Sequence, residues 1–429
     1  METNSEIPDG FKMTKIGLLP EDWGIVKLKN VARKMKAGGT PRRNEKKYWG
    51  GEIPFVLIED MTSCGLYLSK TKESITKKGL ESSSTWIVPP NSLLLSMYAT
   101  IGETAINTIP LTTNQAILAI IPKPNFDTVF GAYLMKFHSN RLAMQNVQST
   151  QKNVNKGIVE SFEIPLPPLP EQKKIAFVLS TIQQAIEKTD AVINATKELK
   201  KSMMKHLFTY GPVPVGEAEN VILKETEIGL IPEEWKIVRL GEASEVVMGQ
   251  SPRGDSYNVN GNGVPLINGP AEFGRRFPVV VKWTSEPAKI CRKDDILFCV
   301  RGNTTGRMNF ADFQCCIGRG VAAIRGKREY SETLYLFYFL EKEAQNILSL
   351  AISGGSTFPN ITKSQLKNLS VPLPPFSKQK KVINILSTLD MKIQTEQAKK
   401  EALEQLFKTL LHNLMTGKIR VNYLEVPHD

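Results

Sequence analysis

The amino-acid sequence predicts an α+β protein made of two similar globular domains, each followed by one long helix. Three observations predict this class: an internal repeat, a heptad spacing of apolar residues after each domain, and short strand-like runs inside both domains. The chain has 429 residues, of which 41% are hydrophobic. It is therefore long enough to bury two or more cores and too apolar to be disordered.

The repeat is clearest at the ends of the domains. KIGLLPEDWGIVKL (residues 15–28) matches EIGLIPEEWKIVRL (residues 227–240), so that Trp23 corresponds to Trp235. IPLPPLPEQKKIAFVLSTI (residues 164–182) matches VPLPPFSKQKKVINILSTL (residues 371–389), so that Pro165 corresponds to Pro372. The chain therefore consists of two halves, and the second globular domain is slightly shorter than the first.

Weaker matches lie inside the domains. They are GGTP (residues 38–41) with GQSP (residues 249–252), IPFV with VPLI, and SLLLSMYATIG with DILFCVRGNTTG. The ends and the strand-like cores repeat, whereas the segments between them differ. This pattern predicts a duplicated scaffold with two different surfaces, which suits the recognition of two related but unequal targets.

Inside the domains, strand-like and helical runs alternate. The runs NSLLLSMYA, AILAIIP, DILFCV and GVAAIRG are bounded by Gly, Pro and Asn and are typical of strands. Helical stretches follow them at residues 129–147 and 332–351. This mixture is the basis for the α+β class.

The helix starts contain the signals of an N-terminus. Pro170 follows an extended PLPPLP entry and lies where a first helical turn tolerates proline. Glu171 is favourable near the positive end of the helix dipole, and we expect Ser377 to be the N-cap at the matching place in the second half. A flexible linker or a ligand for proline-binding domains is the alternative interpretation of the proline run. Both copies, however, lead directly into a periodic helix.

Apolar residues then follow a 4-3 spacing, which predicts two coiled-coil helices of about 40 residues, or roughly 60 Å each. The seam residues are Ile175, Leu179, Ile182, Ile186, Ile193, Met203 and Leu207 in the first helix, and Val382, Leu386, Leu389, Ile393, Leu403, Phe407, Leu410 and Leu414 in the second. Polar residues interrupt the seams at Thr189, Thr196, Lys200, Glu396 and Lys400. The simplest partner for each helix is the other one, and packing into a larger helical core is the alternative.

The net charge of +12 favours a polyanionic partner, although the charge is spread along the chain. Candidate DNA-binding residues therefore depend on local context. In the first domain they lie in TPRRNEKKYW, and in the second they are arginines that mostly stand beside glycine. The candidates are Arg42, Arg43, Lys46, Lys47, Arg253, Arg275, Arg276, Arg301, Arg307 and Arg319. Arginine pairs bidentately with guanine or binds a phosphate, and solvated loop charge is the alternative for any one of them.

The sequence lacks the usual signals of catalysis, metal binding and membrane insertion. No apolar run reaches roughly 18 residues, and the N-terminus lacks the order of a secretory signal, so a cytoplasmic protein is expected. Five cysteines form no C-x-x-C pair, so neither a metal site nor a disulfide framework is expected. No phosphate-binding loop, dinucleotide fingerprint or amino-methyltransferase motif occurs; the nearest string is VPPNS at Val88. We therefore expect no catalytic residues, no cofactor and no enzymatic activity.

The doubled order of IGxxPxxW, PLPPxxxQKK and a long helix resembles the specificity subunit of Type I restriction-modification systems. The resemblance implies two target-recognition domains, residues 1–165 and 215–371, separated by helical spacers, residues 166–214 and 372–429. Each domain would read half of a split double-stranded DNA target. The spacers would pair antiparallel as a coiled coil, set the spacing and dock the methylation subunits.

In such systems the methylation and restriction subunits perform the chemistry with S-adenosylmethionine, ATP and magnesium. The family pattern singles out no base-contacting residues, so the candidates above depend on the local analysis alone. Two alternatives remain. A stand-alone DNA-binding regulator would share the repeat and the charge, and a free methyltransferase or nuclease would need the motifs that are missing.

Overall fold

The computed structural model describes residues 7–145, 153–353 and 359–425. The chain divides into two compact units, each of which combines one globular domain with parts of both long helices. Unit 1 is Met1–Thr189 with Lys399–Asp429, and unit 2 is Asp190–Ala398.

The first half of the chain begins with a hairpin and ends in a long helix. Its strands are β1 (Phe11–Thr14), β2 (Gly17–Pro20), β3 (Gly24–Lys27), β4 (Ala32–Ala37), β5 (Trp49–Val56), β6 (Tyr67–Leu68), β7 (Glu73–Ile75), β8 (Leu93–Ser96), β9 (Thr104–Asn107), β10 (Thr112–Thr113), β11 (Ile117–Pro122) and β12 (Glu163–Leu166). Its helices are α1 (Ile58–Ser63), α2 (Lys77–Glu81), α3 (Thr128–Phe137), α4 (Ser139–Ala143), α5 (Lys156–Ser161) and α6 (Leu169–Tyr210).

The second half follows the same plan. Its strands are β13 (Leu223–Thr226), β14 (Gly229–Pro232), β15 (Lys236–Arg239), β16 (Ser244–Met248), β17 (Tyr257–Asn258), β18 (Val264–Ile267), β19 (Trp283–Thr284), β20 (Ile290–Cys291), β21 (Ile296–Cys299), β22 (Met308–Phe310), β23 (Cys315–Ile317), β24 (Val321–Gly326) and β25 (Ser370–Leu373). Its helices are α7 (Leu240–Ala243), α8 (Thr333–Lys342), α9 (Ala344–Ser353), α10 (Lys363–Lys367) and α11 (Phe376–Met415).

The sheets of the two units correspond strand for strand at their centres. The main sheet has the order β4-β11-β8-β9-β6 in unit 1 and β16-β24-β21-β22 in unit 2. A second sheet contains a parallel pair in each unit, with Phe55 opposite Thr112 and Leu266 opposite Cys316. Phe55 and Leu266 lie in the repeated IPFV and VPLI strings. The four strand-like runs of the sequence contain β8, β11, β21 and β24, so those predictions are confirmed.

Both long helices contribute to the core of each unit. In unit 1, Ile175 from the start of α6 shares a core with Leu414 from the end of α11. In unit 2, Leu207 from the end of α6 shares a core with Val382 from the start of α11. In each unit the beginning of one helix packs beside the end of the other, so the helices run antiparallel. The predicted fold class is confirmed.

The helices have the predicted length and seam. Helix α6 has 42 residues and α11 has 40, and every predicted apolar seam residue is buried or half-buried. The seam residues at the helix ends also join the domain cores, so the alternative of a larger helical core holds there.

Two local predictions need correction. Helix α11 begins at Phe376, and the Pro375 carbonyl accepts the Lys378 amide at 2.8 Å, so Ser377 lies in the first turn and is not the N-cap. Each predicted helical stretch is two helices, separated at His138 in unit 1 and at Glu343 in unit 2, where ψ rises to about zero. The last two residues of the first stretch, 146 and 147, lie outside the described residues.

Candidate nucleic-acid interface

In unit 1 three loops meet at one end of the main sheet. They are residues 38–43 after β4, residues 98–102 after β8 and residues 114–116 before β11, and together they are named loop cluster 1. The Thr40 hydroxyl donates to Gln115 Oε1 at 2.7 Å, and the Met97 amide donates to the Ala116 carbonyl at 2.8 Å. These bonds connect the three loops into one surface.

The same three loops meet in unit 2. They are residues 249–253 after β16, residues 301–306 after β21 and residues 318–320 before β24, and together they are named loop cluster 2. The Arg319 amide donates to Ser251 Oγ at 3.3 Å, and the Val300 amide donates to the Gly320 carbonyl at 2.9 Å. The hydrogen bonds between loops are thus made at matching positions in both units.

One glycine permits the close approach in each cluster. A Cβ atom at Gly38 would lie 1.8 Å from the Thr113 carbonyl oxygen, and one at Gly249 would lie 2.1 Å from the Gly318 carbonyl oxygen. Both distances are far below van der Waals contact, so only glycine fits. The repeated GGTP and GQSP strings therefore have a physical reason, which is the tight contact between two loops.

Arg42 and Arg43 lie on the exposed end of loop cluster 1. Arg43 Nη1 pairs with Glu73 Oε2 at 2.5 Å, and its guanidinium carbon lies 4.1 Å from the centre of the Trp49 ring. The Trp49 indole donates to the Arg42 carbonyl at 3.1 Å. The loop is thus fixed by its own side chains, while the Arg43 side chain remains 51% exposed.

Lys46 and Lys47 follow this loop on a single 3-10 turn, Lys46–Tyr48, and both are exposed. Lys47 Nζ lies 3.3 Å from Glu45 Oε2 and 5.3 Å from the centre of the Tyr48 ring. An exposed pair of this kind contributes little to stability, so both ammonium groups remain accessible to an anion.

Three of the six predicted arginines of unit 2 lie in loop cluster 2. They are Arg253, Arg301 and Arg319, and all three are exposed. Arg253 forms a surface pair with Asp255 at 2.8 Å. Within the part of the chain that the structure describes, the guanidinium groups of Arg301 and Arg319 form no ion pair or hydrogen bond. These two groups are therefore available to a ligand without breaking an internal contact.

The other three predicted arginines lie outside loop cluster 2, although Arg307 directly follows its residues 301–306. Arg307 Nη2 donates to the Phe273 carbonyl at 3.0 Å. Arg276 Nη1 lies 3.6 Å from Asp390 Oδ2 on helix α11, and Arg275 is its exposed neighbour. The structure therefore separates the predicted set into a loop group, the pair Arg275 and Arg276 beside the long helices, and Arg307 at the end of the turn between β21 and β22.

Arg276 belongs to a charged cluster between the helices and the domain of unit 2. This anchor cluster consists of Lys200, Arg276, Tyr338, Glu341 and Asp390. Lys200 Nζ lies 2.7 Å from Asp390 Oδ1 and 2.8 Å from Glu341 Oε2, and the Tyr338 hydroxyl donates to Asp390 Oδ2 at 2.8 Å. Burial raises the pKa of Glu341, and burial together with the Asp390 carboxylate raises the pKa of Tyr338. Tyr338 therefore remains a protonated donor.

At the matching positions of the long helices, unit 1 carries uncharged residues. Phe407 takes the place of Lys200 in the repeat, and its ring centre lies 5.8 Å from that of Tyr133. Gln183 takes the place of Asp390. Burial raises the pKa of Tyr133 to about 12. The scaffold thus accommodates an apolar contact where unit 2 has ion pairs.

The sequence analysis missed one candidate, Gln115. It lies in loop cluster 1 at the position that Arg319 occupies in loop cluster 2, and it is exposed. A glutamine amide can read adenine bidentately, so the residue type fits a base-reading position. The alignment of Ile117 with Val321 at the starts of β11 and β24 could have identified it.

Metal-ligand clusters, disulfides and membrane-spanning helices are absent from the described part of the chain. Among residues 7–145, 153–353 and 359–425, no group of three or more His, Cys, Asp or Glu side chains is arranged to bind a metal ion. All five cysteines are free thiols. Over the same ranges, no helix combines the length and the apolar character that crossing a membrane requires.

Two matched loop clusters on one duplicated scaffold define a class: a binding protein with two related, unequal recognition surfaces. The family comparison is more specific. The family model for the type I restriction modification DNA specificity domain matches residues 20–196 and, a second time, residues 232–405. The chain belongs to this family of type I restriction-modification specificity subunits.

The chain is similar over nearly its whole length to specificity subunits of Methanocaldococcus jannaschii. It is 34% identical over 429 residues to the protein provisionally named type I restriction enzyme MjaX specificity subunit, covering 96% of this chain and 97% of that one. It is 27% identical over 427 residues to the MjaIX specificity subunit, covering 96% and 97%. The resemblance seen in the sequence is therefore confirmed.

Solved structures share the architecture. A chain from work on complex assembly and conformational transition of the type I R-M system aligns with a TM-score of 0.56 at 25% identity, covering 94% of this chain and 99% of that one. The type I restriction-modification S subunit of M. genitalium aligns with a TM-score of 0.62 at 17% identity, covering 96% and 98%. The second likeness supports the fold alone.

Proposed function

We propose that this chain is the DNA-reading subunit of a type I restriction-modification complex, in which each loop cluster reads one half of a split target. One observation carries the proposal: the same loops are assembled twice, with different exposed side chains at matching positions. Gln115 in loop cluster 1 stands where Arg319 stands in loop cluster 2. A glutamine prefers adenine and an arginine prefers guanine, so the two clusters would read different bases.

The ten predicted residues divide by position into two roles. Those in or beside the loop clusters are proposed to contact the half-sites directly. They are Arg42, Arg43, Lys46, Lys47, Arg253, Arg301 and Arg319. Arg275 and Arg276 lie near the long helices, and the Arg307 guanidinium group donates to the Phe273 carbonyl. We therefore assign these three arginines to backbone contacts or to support of the fold.

The domain boundaries of the sequence analysis remain part of the proposal. Residues 1–165 and 215–371 would be the target-recognition domains, and residues 166–214 and 372–429 the spacers. The spacers would set the distance between the half-sites and dock the methylation subunits. We propose that the chain works in the cytoplasm in a complex with methylation and restriction subunits. The curated relatives are named as subunits of type I restriction enzymes, which supports assembly into such an enzyme.

The recognition roles can be tested by site selection. Double-stranded DNA is selected from a random library with the assembled complex, which first defines the split target. Replacing Arg301 and Arg319 by Ala should then relax one half-site, and replacing Arg42 and Arg43 should relax the other. Each lost bidentate base contact should reduce discrimination by about 1–3 kcal/mol, whereas a lost phosphate contact should weaken all sequences alike.

The matched controls are surface arginines outside the loops. Arg33 lies exposed on β4, and the Arg328 side chain is 95% exposed. Their alanine variants should leave both half-sites unchanged. Equal selection profiles for the loop variants and the control variants would contradict the assignment of the clusters.

We also propose that the chain itself catalyses no reaction. The motivation is the lack of methyltransferase and nucleotide-binding motifs in the sequence. The isolated chain should transfer no methyl group from S-adenosylmethionine and cleave no DNA, while the complex with its methylation subunits should methylate the selected target. Turnover by the purified chain that a point mutation within it abolishes would disprove the proposal.

A further inference from the structure

A cavity of about 550 Å³ lies in unit 2, between the globular domain and the long helices. Its lining is strongly cationic. The cationic residues are Lys197, Lys200, Lys201, Arg275 and Arg276. Glu341 and Asp390 are the carboxylates of the lining, so positive charge exceeds negative charge. Gln394 and Gln397 from helix α11 add amide donors.

The carboxylates are already engaged inside the fold. Both pair with Lys200, and Asp390 also faces Arg276. Lys197 and Lys201 are exposed on the adjoining turn of α6, and their ammonium groups form no ion pair or hydrogen bond with the residues that the structure describes. Beyond the internal pairs, Lys197 and Lys201 therefore place two positive charges at the rim of the cavity.

The duplicated scaffold does not require all of these cations. In the repeat, Glu404 stands in place of Lys197 and Phe407 in place of Lys200, whereas Lys408 matches Lys201. Unit 1 forms its corresponding contact through the apolar pair of Phe407 and Tyr133. The positive charges at Lys197 and Lys200 are thus a property of unit 2 and not of the common fold, which points to a ligand.

The cavity lies next to loop cluster 2. The turn between β21 and β22 begins at Arg301 in the loop cluster and reaches Arg307, whose guanidinium group donates to the Phe273 carbonyl. Met308, the next residue, lines the cavity. Exposed positive charge therefore extends from the base-reading loops to the cavity, as a DNA backbone leaving the half-site would require.

We infer that this cavity binds a backbone phosphate of the DNA gap next to the half-site that unit 2 reads. Lysine ammonium groups bind phosphate as point charges without sequence preference, and the glutamine amides supply further donors. The inference deepens the proposed function and rests on it. It gives unit 2 a contact that holds the duplex against the helices.

The test uses the full complex and the double variant Lys197→Ala with Lys201→Ala. Binding is measured on the selected target and on a random-sequence duplex between about 50 and 200 mM salt. Each phosphate contact multiplies the loss of affinity over this range by about three-fold to four-fold. Raising the salt over this range weakens wild-type binding by some factor. For the double variant that factor should be about 3-fold to 12-fold smaller, because one or two phosphate contacts are lost. The change should be equal on both duplexes, and discrimination between bases should stay the same.

Two matched variants make the test decisive. Lys173→Ala with Lys188→Ala, which removes the same charge from exposed positions of α6, should retain the salt dependence of the wild type. Lys197→Arg with Lys201→Arg should also retain it. A double alanine variant with the salt dependence of the Lys173 and Lys188 control would overturn the inference.

The source of the phosphate is tested separately. On a target whose gap carries neutral methylphosphonate linkages, the wild type and the double alanine variant should bind equally. A difference in affinity that persists on this target would rule out a gap phosphate as the ligand. Failure of the proposed function has a different signature, because the wild type would then not discriminate the selected target from random sequence.

Discussion

At the scale of single residues, two buried glutamines explain why the PLPPxxxQKK string occurs twice. Gln172 Nε2 donates to the Pro167 carbonyl at 2.8 Å, and its Oε1 accepts the Asp127 amide at 2.9 Å. Gln379 repeats the pattern with the Pro374 carbonyl at 3.0 Å and the Glu332 amide at 2.9 Å. Each glutamine thus fixes the proline entry of a long helix against the start of a domain helix.

The repeated string is visible in the sequence, but the role of its glutamine in fixing the helix entry is not. The partners Asp127 and Glu332 lie far along the chain from their glutamines, with separations of 45 and 47 residues. Local patterns do not identify such partners, because only the tertiary fold brings them together. The repeated tryptophans differ in the same way. The Trp23 indole donates to Glu171 at 3.0 Å, whereas the buried indole nitrogen of the matching Trp235 has no hydrogen-bond partner among the residues that the structure describes.

The first prediction concerns acid sensitivity. Burial, with a smaller effect of Arg141, lowers the pKa of His138 from 6.5 to about 3, and its buried Nε2 finds no hydrogen-bond partner in the described part of the chain. The native state therefore excludes a proton that the unfolded state binds below pH 6.5. Stability should fall as the pH drops below 6.5, by about 1.4 kcal/mol per pH unit until the pH approaches 3. His138→Leu should remove this contribution.

The measurement is the free energy of unfolding in urea at pH 7.5 and at pH 5.5. The difference between the two values should be smaller for His138→Leu than for the wild type, because other titrating groups are common to both. Phe137→Leu, which alters the neighbouring ring without removing a titrating group, should keep the pH dependence of the wild type. Equal pH dependence in all three proteins would show that His138 is not excluded from protonation.

At the scale of elements, the helix seam was predictable, whereas the role of the polar residues that interrupt it was not. The 4-3 spacing alone identified the buried face of α6 and α11. The same analysis treated Lys200 as a break in the seam. Its partner Glu341 lies 141 residues further along the chain, and Asp390 lies further still, on α11. The role of Lys200 as an anchor therefore becomes visible only in the fold.

The second prediction uses the difference between the units at this anchor. Asp390→Gln leaves the buried Lys200 ammonium with a single carboxylate, and Lys200→Phe takes the ammonium group away from both Asp390 and Glu341. Each single variant should destabilise the protein by about 1–3 kcal/mol, because a buried charge loses a partner. The two changes together reproduce Gln183 and Phe407 of unit 1 and should recover part of the summed losses, because Asp390 is no longer an unpaired charge although Glu341 still lacks Lys200.

A double-mutant cycle measures the coupling from denaturant unfolding. The control pair is Lys392→Ala with Glu396→Ala, an (i, i+4) ion pair on α11 at 2.6 Å, which should couple by no more than about 0.5 kcal/mol. Additive losses at Lys200 and Asp390 would mean that the anchor is not one energetic unit.

At the scale of the whole molecule, the repeat determined most of what could be predicted. It identified two domains of one scaffold, the two long helices and the class of α+β fold. The positions of the candidate arginines in the fold were harder to predict from the sequence. Arg276 and Arg319 both stand in glycine-rich sequence, yet one lies beside a helix and the other in a recognition loop. Loop placement depends on strand order, which the sequence pattern does not contain.

The long helices lead to the last prediction. They are antiparallel within each unit, so the start of each helix serves one domain and its end serves the other. Under the proposed function their length sets the gap between the half-sites. Adding seven residues to both helices, beside Ile186 and Ile393, preserves the apolar seam and lengthens each by about 10 Å.

Along a duplex that rises about 3.4 Å per base pair, a length of about 10 Å corresponds to roughly three base pairs. The preferred gap should grow by a few base pairs while both half-site sequences stay the same. Roughly three base pairs is also about a third of a helical turn, so the recognition domains must rotate to follow the groove. Selection from a random-spacer library measures the preferred gap. The control adds seven residues to only one helix. It should weaken binding at every gap, because the seams of the two helices no longer match. A folded variant with both insertions that still selects the original gap would rule out the helices as the determinant of spacing.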